Sequence, residues 1–260
     1  MGDVFTNRYE IKYIVPARSI PEIKNALLGL IVPDFYNTNG KGYYNYSIYF
    51  DTLHYKFYQE KHEGLLYRIK PRIRVYRKTL DGEIVKAFLE FKIKHDRIVK
   101  KERTEISLNT MKVILSGFSG NIENLDELIS DPVIGRFYSM SKKYYIRPKV
   151  VVYYNRSAFH SNLYPDVRMT FDSNLRGSLV VTGDALSGAF SYLLSPHFAM
   201  IELKYNNKLP KAFISKIQEL ELRQVTFSKY ATALEVCMEE AQITSKHKQR
   251  LLYSGIKNDY

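Results

Sequence analysis

The segment Arg68-Ile69-Lys70-Pro71-Arg72-Ile73-Arg74-Val75 constrains this chain more than any other. Strand side chains alternate with period two. Arg68, Lys70, Arg72 and Arg74 therefore share one face, and Ile69, Pro71, Ile73 and Val75 share the other. Same-face neighbours stand about 7 Å apart, and four cations at that spacing repel one another unless anions sit among them. Two placements satisfy the pattern. One is the solvated outer face of an edge strand, where Lys and Pro are common. The other is an inward face built around a polyanion.

The remaining strand-like segments favour the inward placement. Lys86–Lys94 puts Lys86, Phe88, Glu90, Lys92 and Lys94 on one parity and Ala87, Leu89, Phe91 and Ile93 on the other. Arg8–Val15 alternates between Arg8, Glu10 and Lys12 and the apolar Tyr9, Ile11, Tyr13 and Val15. Lys101, Arg103 and Glu105 share a face in Lys101–Leu108, as do Arg168, Thr170 and Asp172 in Val167–Asp172. Glu202 and Lys204 do so in Ala199–Tyr205, and Arg156 continues the parity of Val150, Val152 and Tyr154 in Lys149–Ala158. With Tyr43–Asp51 and Leu65–Arg77 this predicts about eight strands, mostly without the helical crossovers that parallel sheets need. Strand after strand has one apolar face and one face of Arg and Lys with a few carboxylates. A surface built for solubility mixes the signs more evenly. If such a sheet closes, the basic faces line a tunnel whose low-dielectric walls focus the field.

Helices fill the gaps. Ser19-Ile20-Pro21-Glu22 has the pattern of a capping box with Pro in the first turn, ahead of Ile23, Leu27 and Leu28. Asn121–Ser130, Pro132–Lys143, Pro210–Leu222 and Ser228–Ala241 read as further helices. The expected fold class is α+β, a large antiparallel sheet or barrel with surrounding helices. No Pro-rich or Gly/Ser-rich linker divides the chain. One domain is expected over residues 1–243, followed by a polar, basic, loosely docked tail over 244–260 with Lys246, His247, Lys248 and Arg250.

Charge decides the partner class. The chain carries 39 Lys and Arg against 27 Asp and Glu, a formal net charge of +12. That excess implies an anionic partner: nucleic acid, a phosphate-rich ligand or a membrane surface. Cys237 is the sole cysteine, so an intramolecular disulfide framework and a Cys-based zinc cluster are both excluded. The six histidines show no zinc spacing. No apolar run is long enough for a transmembrane helix. The beginning Met1-Gly2-Asp3-Val4-Phe5 has no secretory pattern, although Met1-Gly2 with Thr6 matches the loose myristoylation pattern. A cytoplasmic location is the expectation. Asn39-Gly40-Lys41-Gly42 lacks the leading Gly of a P-loop and reads as a turn. The 22 Tyr and 14 Phe fit sheet packing better than base stacking.

An ordered set of short motifs carries a resemblance. Arg8-x-Glu10-x-Lys12-Tyr13, Ser47-Ile-Tyr49-Phe50-Asp51-Thr52, Arg72-x-Arg74, Leu89-Glu90-x-Lys92, Lys101-x-Arg103, Tyr154-x-Arg156, Glu202-x-Lys204 and Ser228-Lys229-Tyr230 run in order through most of the chain. Together they resemble the vacuolar transporter chaperone (VTC) domain, the polyphosphate polymerase domain of the triphosphate tunnel metalloenzyme superfamily. The thiamine-triphosphatase and adenylate-cyclase branch of that superfamily opens with Glu-x-Glu-x-Lys. Here Arg8 stands at the first of those acids, as in the polymerase branch.

The resemblance implies an eight-stranded antiparallel β-tunnel that binds ATP, triphosphate and polyphosphate with Mn²⁺ or Mg²⁺. It implies that Lys12, Arg72, Arg74, Lys92 and Arg156 grip the triphosphate and that Lys101, Arg103 and Lys204 extend the basic lining, which Arg68 and Lys70 share by their parity. Ser228 and Lys229 come from the start of the last helix, and Glu202 holds the metal. Glu10, Glu90 and Asp172 are alternative ligands, or counter-ions to their Arg and Lys neighbours. Ser228 at a helix N-terminus is either a plain cap or an anion contact. The implied activity is transfer of the ATP γ-phosphoryl to a polyphosphate chain, with Arg72, Arg74, Lys92, Arg156 and Lys229 as its machinery. A triphosphatase and a catalytically silent polyphosphate-binding module are the alternatives. No nucleic-acid partner is expected.

Overall fold

A computed structural model of the chain describes residues 8–37, 42–77, 82–96, 98–180, 186 and 189–255, with side chains beyond 243 and at position 36 left aside. The Met1-Gly2-Thr6 pattern, residues 39–41 of the expected turn and the last part of the tail lie outside the described residues.

Eight long strands form one antiparallel sheet. They are β1 (Arg8–Pro16), β3 (Tyr43–Asp51), β4 (Tyr67–Arg77), β5 (Ile84–His95), β6 (Ile98–Glu105), β7 (Arg147–His160), β8 (Arg168–Leu179) and β10 (Phe198–Asn206). Two short strands, β2 (Val32–Pro33) on β7 and β9 (Ser191–Tyr192) on β8, complete it. The hydrogen-bonded order is β1-β10-β8-β7-β3-β4-β5-β6. The outermost strands β1 and β6 touch, but among the described residues no backbone ladder joins them. The sheet curls without closing, which corrects the expected closed barrel.

Period-two alternation sorts the faces as the sequence implies. On β4, Ile73 and Val75 are wholly buried on the outer face. There they join Ile48, Leu89 and Phe91 in a core covered by α3 (Leu108–Leu115) and α5 (Pro132–Tyr144) through Ile114 and Phe137. A second outer core packs Tyr13, Phe171 and Ile201 under α1 (Ile20–Ala26) and α6 (Lys211–Glu219) through Ile23, Leu27 and Phe213. Burial of these side chains, each worth about 1.5–3 kcal/mol, holds the helices on the outer face.

The helices differ from expectation in detail. Pro21 does sit in the first turn of α1, but Ser19 adopts helical dihedrals and its side chain makes no cap bond, so the capping box does not form. Its place is taken by a preceding 3₁₀ turn, Ala17–Ser19. Helix α4 spans only Leu125–Ser130, and Asp131 caps α5 by accepting from Val133 and Ile134 at 2.8 and 3.0 Å. Helix α2 (Lys56–His62) was not legible as a period. It is specified by Asp51, which accepts from the backbone of Thr52, Phe57 and Tyr58 at 2.7, 2.9 and 3.0 Å. The last helix, α7 (Lys229–Gly255), runs well past Thr244, so the expected loose tail begins as helix.

Candidate functional site: a cationic lumen with three carboxylate nodes

The inner face brings together the basic residues singled out from sequence, and their carboxylates fall into three nodes. At the first, antiparallel register sets Arg72 opposite Glu90. Arg72 Nε and Nη2 stand 2.9 and 2.7 Å from Glu90 Oε2, Arg74 Nε is 3.9 Å from the same oxygen, and Lys101 pairs with Oε1. Glu90 is fully buried; burial works to raise its carboxyl, and Arg72, Arg74 and Lys101 override that and lower it.

At the second node, Arg156 donates to both oxygens of Asp172 at 2.6 Å and to Glu202 Oε2 at 3.2 Å. Lys229 reaches Asp172 Oδ2 at 2.7 Å and Glu202 Oε1 at 2.5 Å. Lys204 adds a contact to Glu202 Oε2 at 2.7 Å. Burial disfavours the Lys229 ammonium, yet Asp172 and Glu202 hold its pKa above the ordinary value. The third node is Glu10, 3.1 Å from Lys12 on its own strand and 3.0 Å from Lys92 of β5 across the β1/β6 gap. Burial would raise the Glu10 carboxyl; Lys92, Lys204 and Lys12 keep it well below its usual value.

Of the cations assigned to the site from sequence, Lys70, Arg68 and Arg103 pair with no carboxylate among the described residues. Lys70 donates to Ser228 Oγ at 3.0 Å and lies over the Tyr230 ring. Burial, then Lys92, Lys12 and Arg68, push its pKa down to about 7. Arg68 reaches only the Lys61 carbonyl, at 3.5 Å. Arg103 lies over the Phe88 ring at 4.8 Å and is exposed at the rim. Deep in the lumen, Arg74 Nε has no hydrogen-bond acceptor, and the hydroxyls of Ser47 and Thr170 are likewise unpartnered. A buried donor without an acceptor is costly, so Arg74 Nε is placed to take an acceptor from outside the protein.

Ser228 caps the last helix and also meets a lumen cation. Its Oγ takes the Ala231 N–H at 3.4 Å, a cap on α7, and also the Lys70 ammonium. Lys12 ties to the same turn through the Phe227 carbonyl at 2.7 Å.

Sequence reasoning gave no role to four aromatic and acidic residues that build the site. Tyr230 donates its hydroxyl to buried Asp51, which docks the start of α7 onto β3 and α2. Tyr49 stacks on Tyr230 at 5.3 Å and accepts from Arg72 at 3.2 Å. Burial would raise its phenol, and Arg72 and Arg74 lower it instead. Tyr154 lies beneath both Arg156 and Lys229, at 5.0 and 4.7 Å from its ring centre. The signal was present: Tyr154 shares its strand parity with Arg156, and Tyr49 shares its own with Asn45, Ser47 and Asp51.

The donor set decides how a divalent cation would be held. Among the described residues no group of three or more His, Cys, Asp or Glu is placed to hold a metal ion. Both oxygens of Glu202 are engaged by ammonium and guanidinium groups. Such a set does not cage an ion. It fits one that arrives on phosphate oxygens and takes one or two carboxylate ligands from the protein, as Mg²⁺ commonly does.

A sheet curled around a net-cationic interior, with helices packed on its outer face, defines the class. The chain belongs to the VTC domain family, whose family model matches residues 7–238. Among solved structures it is similar to a protein of Pyrococcus horikoshii OT3, at 14% identity and TM-score 0.44, covering 90% of this chain and 99% of that one. Two proteins named for a proposed adenylate cyclase activity are also similar. The one from Vibrio parahaemolyticus has 11% identity, TM-score 0.46 and coverage of 88% and 98%; that from Bacillus halodurans has 12%, 0.45 and coverage of 85% and 95%. Comparison with curated proteins gave no match. No helix among the described residues is long and apolar enough to cross a membrane.

Proposed function

We propose that this protein is a phosphotransferase that moves the γ-phosphoryl of ATP onto a polyphosphate chain, with Mn²⁺ or Mg²⁺ carried on the phosphates. The observation that supports it most is the surplus of inward cations over the carboxylate nodes in a member of the VTC family. The buried, already paired Arg72, Arg74, Arg156 and Lys229 are the groups that would hold the reacting phosphoryl. Their positions are set by Glu90, Asp172 and Glu202 before substrate arrives, which is the preorganisation that charge stabilisation requires. Lys12, Lys70, Lys92, Lys101, Arg103 and Lys204 would carry the rest of the chain.

The attacking atom is a phosphate oxygen of the acceptor, anionic at neutral pH, so no strong general base is needed. Phosphoryl transfer rests on positioning and charge neutralisation. Glu202 would be the protein's ligand to the divalent ion, whose chemistry when bound is to neutralise charge on the phosphoryl oxygens.

The test is to incubate purified protein with radiolabelled ATP and Mn²⁺ and separate the products on a gel stained for polyphosphate. Polymer with ADP is the expected result. Orthophosphate without polymer makes the protein a triphosphatase, and binding without ADP release makes it a polyphosphate-binding module. A second measurement uses Glu202→Gln: turnover should collapse while metal-free triphosphate binding persists or tightens. Normal Mn²⁺-dependent turnover in that folded variant removes Glu202 as the metal ligand.

A further inference from the structure

The lumen has one stopped end and one unlaced side. At the end where β3 and β8 finish, α7 enters the inner face. Tyr230, Ala233 and Leu234 of α7 pack against Tyr49, Val150, Val152, Leu175 and Met200 in a third, wholly interior core. The fit is close: a Cβ at Gly177 of β8 would stand 2.9 Å from Leu193 and 3.1 Å from Ala233. Two cations at this end, Lys70 and Lys12, are tied to the turn that starts the stopper, and Arg68 reaches the Lys61 carbonyl of α2.

The side differs. Every other pair of neighbouring strands is laced by backbone hydrogen bonds, whereas among the described residues β1 and β6 only touch. Parting any laced pair strands a row of backbone donors and acceptors. Parting β1 from β6 breaks no ladder. Among the described residues the side-chain tie across the gap is the Lys92–Glu10 ion pair at 3.0 Å, and a partly exposed ion pair is a weak tie. The exposed lumen cations cluster here too. The side chains of Lys101 and Lys92 are 37% and 33% exposed, against 10% for Arg72 and Arg74 and 7% for Arg156 and Lys229. A phosphate chain at this seam meets ammonium groups first and takes Glu10's place on Lys92.

We propose that the lumen is loaded sideways, through the β1/β6 seam latched by Glu10 and Lys92, so that it accepts the interior of a linear polyphosphate as well as its ends. This rests on the reading of the lumen as a polyphosphate site. A tunnel threaded from its end needs a free chain terminus, and a side-opening groove does not.

The experiment compares a long polyphosphate biotinylated and capped with streptavidin at both ends with the same chain left uncapped. The capped chain should bind with a Kd within about threefold of the free one, well under the tenfold that marks 1.4 kcal/mol. Arg74→Ala should weaken both chains by the same factor, which ties the binding to the lumen. Glu10→Gln should speed association of the capped chain several-fold, because the latch is gone. Free chain that binds while capped chain does not overturns side loading and leaves the polyphosphate reading standing. Capped chain that ignores Arg74→Ala is on the outer surface and also overturns it, as does an association rate unchanged in Glu10→Gln. If neither chain binds, the polyphosphate reading itself falls, and side loading with it.

Discussion

The depth of the lumen and its seam are built from the same residue types with opposite designs. In the depth, Arg72, Arg156 and Lys229 are buried against carboxylates that are themselves buried. At the seam, Lys92 and Lys101 are a third exposed, and nearby Lys70 has a hydroxyl and a ring where the deep cations have carboxylates. A buried charge must be paired or hydrogen-bonded to be tolerated, so the deep cations have fixed positions. Lys92 and Lys101 stay in contact with water, so an arriving anion meets them before the deep cations. The contrast separates residues that hold geometry from residues that capture.

The strongest way to break this contrast is Asp172→Asn. It removes one of the two carboxylates that Arg156 and Lys229 share and leaves Glu202 alone to balance both of them and Lys204, which should cost about 3–5 kcal/mol in urea unfolding. A loss under about 1 kcal/mol, the scale of a surface pair, would mean that the depth is as solvated as the rim.

Ile73→Ala tests the two faces of β4. Ile73 is wholly buried on the outer face between the inward Arg72 and Arg74, and its truncation should cost about 2–5 kcal/mol of stability. Triphosphate affinity of the folded protein should stay unchanged. An unshifted melting curve would reverse the faces.

Arg74→Ala should show the converse. Its Nε lacks an acceptor, so removing it should relax the like-charge cluster while triphosphate binding, followed by calorimetry, weakens by about 1.5–3 kcal/mol, the worth of a charge-assisted contact. Unchanged affinity would remove Arg74 from the site.

The smallest expected effect belongs to Lys70, and it depends on pH. Its folded pKa is lowered to about 7 from 10.5 by burial and by its cationic neighbours. Between these values the unfolded chain binds more protons than the folded one, so the Lys70 contribution to stability rises with pH across that window. Affinity for triphosphate moves the other way: below pH 7 the ammonium is in place, and above it each binding event must take up a proton. The rise in Tm produced by triphosphate should therefore be larger at pH 6 than at pH 8.5. Lys70→Met should flatten that difference in part, with Lys101 at about 7 and Lys204 at about 8 supplying the remainder. An identical pH profile in the variant would show that Lys70 does not meet the anion. Added salt should shrink every one of these binding effects at the exposed seam more than in the depth.

What was legible in the sequence is what period two can encode. The parity of β4, β5 and β10 places Arg72 with Arg74, Glu90 with Lys92 and Glu202 with Lys204 on one face, because each alternation is a property of a single strand. The apolar parity foretold the outer cores for the same reason, and the net charge of +12 pointed to an anion. Which carboxylate serves which cation was not legible. Arg72 meets Glu90 through the β4/β5 register, and Arg156 meets Asp172 through β7/β8. A register belongs to a pair of strands far apart in the chain. The roles of Asp51 and Tyr230 were hidden likewise, since their bond spans 179 positions. The stopper formed by α7 and the unlaced seam between β1 and β6 were decided by tertiary structure alone: whether a curled sheet closes depends on the summed twist and stagger of all its strands, and no single segment carries that sum.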